Sequence, residues 1–460
     1  MSALTWLKLL TVFVTALALE CSLAAAAPLE TPPDFAWAVQ AGGKGPDKTR
    51  CIAVDTAGNV FLAGEFVGVS QFGAHTLTSA GDMDFFLAKC SPDGKFLWAR
   101  SAGGSGIDRG YGVATDAAGN CYVTGHHQST NATFSGVAVP NAGDYDIFIA
   151  KYDPDGKLLW VRTAGGKGYD YGHGIAVDSG NHVLMTGALV GDGAFGDVKV
   201  TAAGGAHVFC ARYDSAGKLL WVRTAEGNAR GSGHGITVDA AGNAYVGGMT
   251  GGAGTLGGVA LTNAAGRDIF LAKFTPDGKV AWLSEGHGST NAMIHELTCD
   301  RAGNVWAAGM FKGALKLADR TVTSHGDSDL LLTHFDPTGK RLWTRTGGGP
   351  RVDYGLGVAT DGAGNSFLTG EFTDTAEIAG SPLTSSGSTE IYVAKFDRAG
   401  TLRWLTQGGG DKGDNAYTIV ADARGNLYLS GNISGTAKFG PHTVTSAGGN
   451  DVYLAKLKAR

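Results

Sequence analysis

Short apolar runs, each closed by a cluster of glycine, aspartate and asparagine, follow one another along almost the whole chain. One stretch shows the pattern: Val113-Ala114-Thr115, Cys121-Tyr122-Val123-Thr124, Ile147-Phe148-Ile149-Ala150-Lys151 and Leu158-Leu159-Trp160-Val161-Arg162. Runs this short, rich in β-branched and aromatic residues and bounded by turn formers, predict strands. No stretch keeps a helical period long enough to be a helix. In Asp116-Ala117-Ala118-Gly119-Asn120 the carboxylate can cap turn amides and the glycine can supply a positive φ. That predicts a tight hairpin between the first and second strands. Asp153-Pro154-Asp155-Gly156-Lys157 joins the third and fourth by the same logic, with proline pre-setting φ. A longer insert separates the second strand from the third. It carries an apolar residue at one fixed place (Phe72, Phe134, Phe195, Leu256, Leu317, Ile378, Phe439), which predicts an extra hairpin packed back on its own unit.

The unit recurs. Trp37, Trp98, Trp160, Trp221, Trp282, Trp343 and Trp404 stand at intervals of 61 residues, one of them 62. Eighteen residues after each tryptophan comes an aspartate: Asp55, Asp116, Asp178, Asp239, Asp300, Asp361 and Asp422. Six of these open an Asp-x-x-Gly-Asn box; Asp178-Ser179-Gly180-Asn181 reads as one residue short, with His182 restoring the register. Four-stranded antiparallel units repeated in this way predict an all-β, seven-bladed β-propeller over residues 34–460. Its last unit lacks a tryptophan strand, while Phe35-Ala36-Trp37-Ala38-Val39 stands alone before the first. The N-terminal strand is therefore expected to complete the last blade and close the ring. The tryptophans then serve as packing residues between blades, and the box aspartates as turn caps.

Unit three, Trp160-Val161-Arg162-Thr163-Ala164-Gly165-Gly166-Lys167-Gly168-Tyr169-Asp170 with Gly174-Ile175-Ala176-Val177-Asp178, resembles the SBBP repeat, a bacterial β-propeller repeat of exported and cell-surface proteins. The resemblance covers residues 34–457. It implies a propeller fold and export, and no reaction.

Residues 1–27 fit a secretory signal peptide. Lys8 precedes the apolar run Leu9 to Leu19, and small residues with Ala-x-Ala cleavage sites follow at 24–27. A secreted, periplasmic or cell-surface protein is expected. No later stretch stays apolar for the ~18 residues of a membrane span. Glycine is abundant (74 of 460) and charge is low, with 37 basic and 42 acidic residues giving a net −5. A chain this apolar has a core to bury, which argues against disorder. It also offers no basic field for nucleic acid. The five cysteines outside the leader are odd in number and irregularly placed, as small buried side chains rather than a disulfide set would be.

Candidate chemistry lies on the face carrying the connections between units. Acidic residues recur there at two places: Asp47, Asp108, Asp170, Asp353 and Asp414, replaced by Gly231 and Ala292 in two units, and Asp84, Asp146, Asp268, Asp329 and Asp451, with His207 and Glu390 as departures. Oxygen ligands could take a cation, but repetition favours carboxylates that satisfy amides of glycine-rich turns. Asymmetry comes from histidine. Five residues before the box aspartate stand Arg50, Tyr111, His173, His234, His295, Leu356 and Tyr417, with His207 and His287 expected on the same face. Three imidazoles at one equivalent position form a ligand pocket or hydrogen-bond between blades. No motif calls for a cofactor; a divalent metal is what these imidazoles could hold. Gly-x-Ser-x-Gly, His-Glu-x-x-His and a P-loop are all absent. The sequence thus favours a non-enzymatic binding or scaffold module for a protein or carbohydrate. The alternative is an enzyme (lyase, oxidoreductase or hydrolase) working at the axial mouth.

Overall fold

The computed structural model describes residues 28–202, 204–262 and 266–459. The signal peptide expected over 1–27 lies outside them. All regular structure in this range is β-strand, and no helix occurs among the described residues. The second unit shows why the pattern folds as it does. Asp108–Thr115, Cys121–His127, Asp146–Tyr152 and Leu158–Gly166 pair in that order, every pair antiparallel. Its second strand and nearly all of its third are buried. Phe148 and Ala150 enter one core with Phe61 and Trp98, while Ile147 and Ile149 enter another with Ile175 and Phe209. A strand covered on both faces needs apolar residues at successive positions, so these strands read as unbroken apolar runs instead of alternating ones.

The box turns are fastened as their chemistry requires. Asp116 Oδ1 accepts the amides of Ala118 and Asn120 at 3.0 and 2.9 Å, and its Oδ2 accepts Asn120 Nδ2 at 2.8 Å. Gly119 supplies φ +80°. The turn at Asp178 differs from the sequence expectation. It has its full five residues: Asn181 takes the glycine place at φ +61°, and His182 takes the asparagine place, its amide 2.8 Å from Asp178 Oδ1. The change is a substitution rather than a deletion, tolerated because asparagine visits the left-handed region at small cost.

Six of the seven repeat tryptophans reach the turn of the following unit. Trp98 Nε1 donates to Pro154 O at 3.1 Å and Arg100 Nε to Gly156 O at 3.0 Å. The same indole bond recurs from Trp37, Trp160, Trp221, Trp282 and Trp343. Trp404 packs in the core that holds Phe35. The inserted hairpins bridge neighbouring units instead of packing wholly on their own. Phe72 does meet its own unit at Phe86 and Phe96, ring centroids 4.7 and 5.6 Å away. The hairpin backbone, however, pairs with the outer strand of the preceding unit: Gln71 with Gly42, Phe134 with Ala102, Phe195 with Ala164 and Leu256 with Ala225. An outer strand left with bare amides and carbonyls is an edge, and this pairing covers it.

Phe35–Gly43 lies antiparallel to Asp451–Leu457, with Ala38 opposite Ala455 and Val39 opposite Leu454. Asp451–Leu457 in turn pairs with Leu427–Ile433, and that strand with Asn415–Ala421. The first strand of each unit lies against the first strand of the next, and Asn415–Ala421 also lies against Lys48–Val54. The five described cysteines are free thiols, three of them buried.

Candidate functional site

The seven residues five places before the box aspartates share a backbone device. The pairing of each first strand with the second slips by one residue at Arg50, Tyr111, His173, His234, His295, Leu356 and Tyr417. Such a bulge leaves one residue outside the ladder and re-aims its side chain. All seven bulged residues line one cavity of about 400 Å³, together with the Glu296 carboxyl. Glycine follows several of the bulges because the next first strand passes close: a Cβ at Gly112 would sit 2.4 Å from His173 O, and one at Gly174 would sit 2.5 Å from His234 O. The sequence placed the imidazoles near one another; it did not show the bulge that turns them inward.

Of the seven bulged side chains all but Leu356 are polar, and Arg50 is the charged one, while Ile52, Val113, Ile175 and Ile236 add apolar lining. His173 and His234 have ring centroids 4.4 Å apart, His234 and His295 6.1 Å, and Tyr111 stands 4.4 Å from His173. Burial pushes the His173 imidazolium pKa down to about 3 and that of His295 to about 4, and holds His234 well below its ordinary value. All three are neutral rings near pH 7, able to donate at one nitrogen and accept at the other. His234 Nε2 is 2.8 Å from Ser232 Oγ, while His295 Nε2 is buried without a partner. Burial disfavours the Arg50 charge, yet Glu65 more than offsets it, gripping the guanidinium at 2.5–3.0 Å and raising its pKa. The guanidinium also lies over the Tyr111 and Tyr417 rings, 5.1 and 5.7 Å from their centroids. Glu296 is half-buried, and desolvation raises its pKa to about 8, so it holds its proton at neutral pH while accepting from Val358 N and Thr418 Oγ1.

Sequence reasoning missed a second layer. Glu65, His126 and Glu371 follow the glycine of their second strands (Gly64, Gly125, Gly370) and stand behind the bulged residues. Glu65 neutralises Arg50, and Glu371 accepts from the Asn415 amide. His126 sits among Tyr111, Tyr145 and Tyr169 at 5.0–5.8 Å, neither ring nitrogen bonded. The signal was present: each is a titratable residue directly after the glycine of its second strand.

The other expected residues fall elsewhere. His207 is buried at the start of a third strand, its Nδ1 3.0 Å from Ala225 O, and it does not line the cavity. His287 is half-buried, and its backbone pairs with Lys316. Asp108 accepts from Gly104 N at 2.8 Å and Ser129 Oγ at 2.6 Å; Asp47, Asp170, Asp353 and Asp414 likewise each take the amide four residues before them. Asp84, Asp146 and Asp451 each take a turn amide too. These carboxylates tie loops.

Antiparallel units standing side by side, with first strands around a shared cavity, define a repeat protein of the β-propeller type. No family model matches the chain. An uncharacterized WD repeat-containing protein of Acanthamoeba polyphaga mimivirus is 22% identical over 446 residues, covering 75% of this chain and 32% of that protein. The regulatory protein FlaEY of Caulobacter vibrioides is 29% identical over 134 residues, 28% of this chain and 14% of that one. The chain thus spans a third or less of these relatives. Among solved structures, the WD40 β-propeller domain of Doa1 is 11% identical, with 92% of this chain and 97% of that chain covered and a TM-score of 0.46. PQQ-bound aldose sugar dehydrogenase from Streptomyces coelicolor is 14% identical, with 76% and 95% covered and a TM-score of 0.38.

Proposed function

We propose that this protein is an exported, non-enzymatic binding module: a closed seven-bladed propeller of SBBP-like repeats whose axial cavity takes a small carbohydrate. One observation carries the reading. Seven bulges turn seven side chains into one cavity, and those side chains vary around it (Arg50, Tyr111, His173, His234, His295, Leu356, Tyr417) while the strands around them repeat. A purely architectural position would repeat too. Neutral imidazoles and phenols offer donors, acceptors and flat faces at once, which suits a polyhydroxylated ring, and about 400 Å³ lies in the range of small-ligand sites. The pairing of Phe35–Gly43 with Asp451–Leu457 supports closure.

Saturation-transfer NMR with a panel of mono- and disaccharides tests this. At least one sugar should bind saturably, and His173→Ala/His234→Ala/His295→Ala should abolish that binding without lowering solubility. Failure of every sugar, or binding indifferent to the triple replacement, refutes it. A parallel zinc titration checks whether the imidazoles take a divalent metal instead. Glu296 supports a second reading. A carboxylic acid kept protonated at neutral pH beside a cavity is what a general acid needs. On that reading the chain is an enzyme, and Glu296→Gln would abolish turnover while leaving sugar binding intact.

A further inference from the structure

A second cavity, distinct from the axial one, lies where the third and fourth units meet. Its volume is about 410 Å³, and Tyr171, Arg230, Ser232, Thr250 and Arg267 are among its lining. The repeat makes this junction stand out. At five of the other six junctions two carboxylates stand at the corresponding place. Asp84 and Asp108 flank Gly103, with side-chain oxygens 2.6 and 2.7 Å from where its Cβ would be, and Asp146 and Asp170 flank Gly165 in the same way. Here both acids are gone, replaced by His207 and Gly231.

Two cations have arrived instead. The place of Arg230 holds an uncharged residue in every other unit: Pro46, Ile107, Tyr169, Asn291, Val352 and Gly413. The place of Arg267 is also uncharged elsewhere, as at Met83, Tyr145 and Ser328; its register partner is Asn291, of the next junction, and it enters this cleft from within the fourth unit, beside Gly251. Bridges from Met83 to Ile107, Tyr145 to Tyr169 and Ser328 to Val352 fix this register between units. Both arginines are exposed, and neither has an ion-pair partner among the described residues. The neighbouring acid, Asp268, is turned to the amides of Gly288 and Ser289 at 3.1 and 3.2 Å. Gly204 and Gly205 give Arg230 room, since a Cβ on the latter would sit 2.9 Å from the arginine Cδ. Hydroxyl groups complete the cleft: the Tyr171 phenol and Ser232 both line it, and Ser232 Oγ also meets His234.

We infer that this cleft is an oxyanion site, taking the carboxylate or phosphate group of a small molecule between the Arg230 and Arg267 guanidinium forks. Loss of both carboxylates beside a cavity that two unpaired guanidinium forks line is the change that such a ligand requires, because guanidinium matches the planar geometry of an oxyanion bidentately.

Isothermal titration of the full chain with inorganic phosphate, and separately with citrate, at constant ionic strength tests the site. Saturable binding of either probe is expected, and the tighter of the two names the class of anion. Arg230→Gln and Arg267→Gln should each weaken it about tenfold or more, the share of one charge-assisted contact. Arg301→Gln, on an exposed turn, should not, nor should His295→Ala, which lines only the axial cavity. Unchanged melting temperatures without probe confirm that the variants are folded. Absence of saturable binding with both probes overturns the site, as does binding by Arg230→Gln and Arg267→Gln equal to that of the parent.

Discussion

Replacing Glu296 by glutamine should stabilise the protein, increasingly so as pH rises. The side chain is half-buried beside the cavity, and desolvation there raises its pKa from 4.5 to about 8. Below pH 4.5 folded and unfolded chains both carry the proton, and the side chain costs nothing extra. Between 4.5 and 8 the unfolded chain releases its proton while the folded chain keeps it, so stability falls as pH rises. Above 8 both forms are ionised and the full cost remains. At about 1.36 kcal/mol per pH unit, the cost is under about 1 kcal/mol at pH 5, about 3 at pH 7 and close to 5 at pH 9. Glutamine carries no such burden. Its carbonyl can accept from Val358 N, 3.1 Å from Oε2 in the parent, and its amide can donate to Thr418 Oγ1, 3.3 Å from Oε1. Urea unfolding of parent and Glu296→Gln at pH 5, 7 and 9 measures the gap. A gap that widens with pH in favour of glutamine is expected. A gap independent of pH, or a glutamine variant less stable at pH 9, refutes the reasoning.

The histidines act with the opposite sign. Their folded values, about 3 for His173 and 4 for His295, lie below 6.5, so the stability they permit is lost as pH falls from 6.5 toward 3. The melting temperature of the parent should fall faster on acidification than that of the triple alanine variant; parallel curves count against buried neutral imidazoles. Asp108→Ala leaves the amides of Gly104, Gln128 and Ser129 without their acceptor and should cost about 3 kcal/mol in urea unfolding at pH 7. Gly156→Ala forces a Cβ to 2.9 Å from the Trp98 ring at a φ of +78° and should cost roughly 1–3 kcal/mol. An unchanged melting temperature would show that the indole does not clamp that turn.

Much of this architecture is legible in the residues. The box aspartates cap the turns that their spacing implies, and Trp98 and its equivalents bridge neighbouring units as their repetition suggests. Local chemistry fixes both. What was hidden depends on neighbours. The bulge at His173 is invisible because Gly172-His173-Gly174 reads as ordinary strand, and only the ladder with Thr186 and Gly187 reveals the extra residue. The reach of the inserted hairpins was hidden too. Phe72 announces where the side chain packs, but nothing in Val69–Phe72 says that its backbone seeks Gly42 and Gly43. His207 misled because a shared face of the molecule is not a shared direction. It sits at a third strand, where its register faces the junction between units rather than the axis.

The axial cavity exists only if the chain returns on itself through its N-terminal strand, and one crosslink tests that. Ala38 and Ala455 are cross-strand partners, close enough in an antiparallel pair for a disulfide. Ala38→Cys/Ala455→Cys, oxidised in the folded state and digested, should yield a peptide joining residues 38 and 455, seen by mass spectrometry and lost on reduction. Recovery of both as free thiols from folded protein would contradict the closed ring, and with it the shared cavity.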